Sequence, residues 1–124
     1  MFESLCHDAV PTLYRDYQLT QLPRQWWYKS REIDIVAPTD GSTLIAGEAK
    51  FTARPMGYDV LAALENDVEH VDWTPTGGGE PTYEFVLCSR AGFTRSLTNA
   101  ANERDDLRLF ELSEIVAALE REPE

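Results

Sequence analysis

Asp34, Glu48 and Lys50 lie within REIDIVAPTDGSTLIAGEAKF, residues Arg31 to Phe51, which otherwise reads as two apolar strands around a turn. Side chains alternate across a strand, so Glu48 and Lys50 share a face with Ala46, while Ile45, Gly47, Ala49 and Phe51 share the other. On the preceding strand the same rule puts Ile33 and Ile35 on one face and Glu32, Asp34 and Val36 on the other. A turn centred near Asp40 and Gly41 pairs residues whose numbers sum to about 81 or 82. Asp34 then lies beside Glu48. Opposed carboxylates on strands dense with Ile and Ala repel each other and lose solvation, so a positive charge belongs between them. Lys50 can neutralise one acid; a divalent cation satisfies both. Magnesium or manganese takes hard oxygen ligands and typically uses one or two carboxylates beside substrate phosphate oxygens. Such an ion activates water and polarises a phosphoryl oxygen, with Lys50 orienting the water and offsetting charge on the phosphorus oxygens. A solvated ladder of charges is the ordinary alternative for a hairpin with one wet face. Two strands that both read as central, with the lysine at the spacing that shares a face, favour the site.

The elements that must hold these groups follow from periodicity. Phe2, Leu5, Cys6, Ala9, Leu13, Tyr14 and Tyr17 predict a helix from Phe2 to about Leu19, kinked or split by Pro11. RQWWYKS predicts a short aromatic strand, then Arg31 to Ala37 and Thr43 to Phe51 form a hairpin through PTDGS. Leu61, Leu64, Val68 and Val71 predict an amphipathic helix between Gly57 and Val71. The glycines and prolines of TPTGGGEPT interrupt regular structure. TYEFVLCS reads as a buried strand, Thr94 to Arg104 as a helix, and LRLFEL as a last strand. Ser113 is placed to cap a closing helix with apolar Ile115, Val116, Ala118 and Leu119 and charged Glu120 and Arg121. The predicted order is αβββαβαβα, an α/β fold with a mixed central sheet flanked by helices.

A chain of 124 residues fits one domain, taken as residues 1–124. Cys6 and Cys88 lack zinc-type spacing and sit among apolar residues, as reduced core cysteines of a cytoplasmic protein. No stretch approaches the roughly 18 apolar residues of a membrane span, and no basic region precedes an apolar signal core. The net charge of −11 argues at first against nucleic acid. Yet only Lys29 and Lys50 are lysines, the other nine cations are arginines, and the acids are dispersed. That pattern suits a salt-rich cytoplasm, where an acidic surface preserves solubility and self-repulsion is screened. Net charge then says little about the ligand.

Asp34 followed across a hairpin by Glu48-Ala49-Lys50 resembles the PD-(D/E)XK motif of the restriction-endonuclease-like superfamily, although Ile33 stands where the motif name has proline. Phe2-Glu3, RQWWY, EIDIVA, GEAKF and LCSRAGFT further resemble a domain of unknown function at the C-terminus of archaeal P-loop ATPases. The resemblance implies a restriction-endonuclease-like core and a DNA endonuclease. It also implies metal ligation by Asp34, Glu48 and the Ala49 carbonyl, Lys50 as catalytic lysine, and Glu3 as the helix carboxylate that completes the site. A carboxylate near a helix start also complements the helix dipole, the plainer reading of Glu3. A catalytically silent module that binds or regulates an ATPase is the competing reading, and a homodimer is a further expectation.

No phosphate-cradling lysine loop occurs, so an ATPase partner would be another part of the protein or a separate chain. His7 and His70 lack ligand-type partners four residues on and read as surface or satisfied helix residues. Trp26 and Trp27 face opposite ways, so at most one serves a given surface and the other packs inside. Arg54, Arg90 and Arg95 are the cations expected nearest a phosphate backbone, Arg90 because it follows a buried strand.

Overall fold

The Arg31–Phe51 stretch folds as the predicted hairpin at the centre of a five-stranded sheet. The structure, a computed structural model, describes residues 2–75 and 77–120. Helix α1 (Phe2–Leu13) is followed by β1 (Arg24–Tyr28), β2 (Arg31–Pro38), β3 (Thr43–Lys50), α2 (Tyr58–Val68), β4 (Thr82–Ser89), α3 (Arg95–Glu103), β5 (Leu107–Glu111) and α4 (Leu112–Glu120). This is the expected αβββαβαβα order. The strands lie in the order β1-β2-β3-β4-β5. The first three pair antiparallel, and β4 and β5 are added parallel. Both crossovers therefore run the same way, and their helices α2 and α3 cover one face.

The two faces bury separate layers. Ile35, Ala37, Ile45, Ala49, Val86 and Cys88 pack under α1 and α4 with Phe2, Cys6, Val10 and Ile115. Ile33, Val36, Leu44, Ala46, Phe85 and Leu87 pack under α2 and α3 with Leu61, Leu64 and Leu97. The even residues of β3 face α2 and α3, as alternation requires. Strand β2 departs from it. Arg24 pairs with Val36 but Trp26 with Ile33, so Asp34 and Ile35 together oppose Gln25. That β-bulge reverses the alternation, and Ile33 and Ile35, expected on one face, lie in opposite layers.

Boundaries differ where tertiary partners intervene. Helix α1 stops at Leu13, not Leu19, and is a single helix with Pro11 in its last turn. Arg108 donates to the Leu13 carbonyl at 3.1 Å and lies 4.2 Å from the Tyr14 ring centroid, capping the helix end. Leu19 bridges instead to Thr39. Helix α2 ends at Val68, after which His70 and Val71 bond three residues back, to Asp67 and Val68, and tighten the chain out of the helix. His70 is thus outside a helix, stacked on Tyr28. Ser113 lies inside α4; Glu114 caps it, its carboxylate accepting from the Glu111 N–H at 2.9 Å. Arg121, expected in that helix, lies outside the described residues. Cys6 and Cys88 are free and fully buried, as expected, and meet between α1 and β4; hydrogen bonding to Cys6, then burial, pushes the Cys88 thiol up. Among the described residues no helix is long and apolar enough to cross a membrane.

Candidate active site

Strand β3 ends at Lys50, parallel β4 at Ser89, and antiparallel β2 brings its early residues to the same end of the sheet. This is the edge where open α/β sheets bind ligands. The β2–β3 ladder runs from Pro38↔Leu44 to Ile35↔Gly47, a constant sum of 82, which makes Asp34 and Glu48 the next pair. The ladder stops there because of the bulge. The Ala49 N–H donates to Asp34 Oδ2 at 3.0 Å, so a side chain continues what the main chain leaves off. On the other side of the bulge, His7 of α1 approaches the Asp34 carbonyl oxygen, its Nε2 2.6 Å away. Asp34 is held at both its side chain and its main chain.

Glu48 is half-buried beside it. Its carboxyl is pushed up to about 9, first by burial and then by hydrogen bonding and charge repulsion from Asp34; Lys50 and the Asp34 main chain pull the other way without prevailing. Burial next to a second carboxyl therefore keeps the proton on Glu48 at neutral pH. Gly47 makes the placement of Glu48 possible. A Cβ there would lie 2.3 Å from the Val86 carbonyl oxygen, a main-chain atom, so only glycine lets β3 and β4 approach at this point.

The loops leaving β3 and β4 carry the expected arginines. Arg90 lies 4.7 Å over the Phe51 ring, and its N–H donates to the Lys50 carbonyl at 3.1 Å. Arg54 is exposed between β3 and α2, and Arg95 is exposed at the start of α3, whose N-cap Thr94 accepts from the Leu97 N–H. The Met56↔Phe93 bridge ties these two loops together, with Met56 N–H bonded to Gly92 and Thr94 N–H to Met56. Arg54, Arg90 and Arg95 take part in none of the ion pairs among the described residues, unlike Arg31, Arg104 and Arg108, which are bound to carboxylates.

Glu3 stands apart. It lines a cleft of about 370 Å³ with Phe2, Leu5, Phe51 and Leu112 on the α1–α4 side. Among the described residues no three His, Cys, Asp or Glu side chains converge as a metal-binding group. The structure thus joins Asp34 to Glu48 and leaves Glu3 outside that pair. Trp26 packs against the α2–α3 layer, while Trp27 is 62% exposed on the other face. Sequence reasoning missed the bond from His7 and the closeness that Gly47 permits, since neither has a local signal in the sequence.

A family model described as archaeal and bacterial proteins of unknown function, DUF234, matches residues 1–68. No curated protein matches the chain. Two solved structures resemble it. The DNA modification-dependent restriction endonuclease AspBHI aligns with a TM-score of 0.58 at 16% identity, over 95% of this chain and 30% of the enzyme. The MspJI restriction endonuclease in complex with a 27-mer oligonucleotide aligns with a TM-score of 0.57 at 14% identity, over 97% of this chain and 27% of the enzyme. At these identities the likeness is one of fold: the chain has a restriction-endonuclease-like fold, as expected, and spans less than a third of either enzyme.

Proposed function

The chain belongs to DUF234, and from that premise and the Asp34–Glu48 pair we propose that it is a metal-dependent phosphodiesterase domain, endonuclease-like, acting on DNA. Asp34, Glu48 and Lys50 are read as the two acids and the lysine of the PD-(D/E)XK pattern. The observation that carries the reading is that Glu48, its carboxyl pushed up by burial and by Asp34, adjoins Asp34 at the sheet edge where β3 ends in Lys50.

The donor set fits magnesium or manganese. Two hard carboxylates adjoin, burial has already raised the proton affinity of one, and a cation relieves that cost directly. Asp34, Glu48 and the Ala49 carbonyl are the groups that would hold it. When bound, such an ion supplies Lewis acidity and a more acidic water. The chain's own residues do the rest. His7 and the Ala49 N–H fix Asp34, Glu48 releases its proton as positive charge enters, and Lys50 orients the water for in-line attack. Arg54, Arg90 and Arg95 hold the flanking phosphates, offsetting at close range a surface that is acidic overall. Two buried free cysteines suit a reducing cytoplasm, and the scarcity of lysine suits high salt.

Purified protein in high potassium chloride with magnesium or manganese is expected to cut plasmid, branched or single-stranded DNA, and Asp34→Ala and Lys50→Ala to lose that activity. Equal cleavage by wild type and both variants rejects the reading. One observation favours a second reading, a silent module associated with a P-loop ATPase: Asp34 already accepts from the Ala49 N–H, and Glu48, raised by burial, is already hydrogen-bonded to Asp34. Stable capture of an ATPase without metal binding or turnover would favour that module.

A further inference from the structure

Ser89 closes β4 and is fully buried, and its Oγ has no hydrogen-bond partner among the described residues. A buried hydroxyl left unpaired is costly, so a partner is called for. The register neighbour of Ser89 on β3 is Lys50. The bond from the Arg90 N–H to the Lys50 carbonyl locks the two main chains side by side at this point. Parallel partners present their side chains on one face, about 4.8 Å apart. Ala46 of β3 and Leu87 of β4 both pack in the α2–α3 layer. Alternation from them carries Glu48, Lys50 and Ser89 to that same face. The Lys50 side chain is exposed and joins none of the ion pairs among the described residues.

We propose that Ser89 is the positioning residue for Lys50: its buried hydroxyl accepts a hydrogen bond from the Lys50 ammonium when that side chain folds back over the sheet edge, holding Nζ beside Glu48. The inference rests on the role of Lys50 in the phosphodiesterase reading. A hydroxyl suits the task because it accepts from an ammonium and still has its own proton to donate. It fixes one of the three ammonium donors, and an otherwise freely rotating four-carbon stem acquires a preferred end point.

The test exploits composition, since Lys29 and Lys50 are the only lysines and a lysine-labelled chain gives two resolvable ε-methylene NMR signals. Ser89→Ala is expected to shift the Lys50 signal and leave Lys29, in the β1–β2 turn, unmoved; Ser89→Thr, which restores a hydroxyl, is expected to bring the signal back. Ser89→Ala and Lys50→Met are expected to be non-additive in denaturation midpoint. In cleavage assays Ser89→Ala is expected to lower kcat about tenfold with KM unchanged, the loss of one charge-assisted hydrogen bond. Ser89→Cys, close in volume and a poorer acceptor, serves where the alanine variant folds badly. A Lys50 signal indifferent to Ser89 substitutions, with additive midpoints, overturns the proposal and leaves the nuclease reading standing. A shifted signal in a protein whose Lys50→Ala variant cleaves normally supports the contact and sinks the nuclease reading instead.

Discussion

The Nε2 of His7 lies 2.6 Å from the main-chain carbonyl oxygen of Asp34. A carbonyl only accepts, so this ring nitrogen carries the proton. The bond joins α1 to the bulge in β2, where the antiparallel ladder leaves main-chain groups to find partners elsewhere. His7→Ala is expected to destabilise the fold by about 1 kcal/mol. It is also expected to weaken manganese binding as Asp34 loses its anchor. Urea denaturation and calorimetry read the two effects separately, and an unchanged metal affinity would reduce His7 to a purely structural role.

Glu48 makes stability depend on pH in a defined direction. Its folded value, about 9, lies above its ordinary 4.5, so between these limits the native state holds a proton that the unfolded chain has lost. The stability it contributes is complete below 4.5 and is lost as pH rises through about 9. Glu48→Gln is therefore expected to raise the metal-free Tm at about pH 8 and to change it little at about pH 4. The same variant is expected to lose divalent-ion binding, a trade of stability against function. Melting curves at the two pH values, with and without manganese, check both.

On the proposed reading, a divalent ion held by Asp34 and Glu48 displaces that proton. Calorimetric titration with manganese near neutral pH is expected to release about one proton, seen as a binding enthalpy that varies with buffer ionisation enthalpy. Glu48→Gln, which is expected to lose the binding itself, should give no titration heat.

Gly47→Ala drives a Cβ to within 2.3 Å of the Val86 carbonyl, and neither strand can retreat without opening the β3–β4 ladder. A loss of about 3 kcal/mol or failure to fold is expected. Gly41 meets nothing nearer than the Thr39 hydroxyl at 4.0 Å, so Gly41→Ala is the control and is expected to cost less than about 0.5 kcal/mol. Denaturant midpoints decide.

Arg90, Arg54 and Arg95 are expected to weaken DNA binding additively on replacement by alanine. Each phosphate left without its guanidinium should lower the slope of log affinity against log salt by about 0.7–0.9. A slope unchanged in the triple variant would exclude this edge as the DNA-facing surface.

The element order, the hairpin and the closeness of Asp34 to Glu48 were legible in the sequence because they follow from short-range alternation and turn chemistry, which act within a few residues. What escaped depended on distant partners. The bulge at Asp34 and Ile35 arises from the register of β1 and moved Ile33 to the other layer. The early end of α1 depends on Arg108, 95 residues away from Leu13 in sequence.

The stitch between Met56 and Phe93 has a mechanical consequence. The two segments that bear Arg54, Arg90 and Arg95 form one stiff rim, not two independent flaps. The segment that bears Arg54 and the one that bears Arg90 and leads into Arg95 therefore shift together or not at all, and a change in one is transmitted to the other through the main chain.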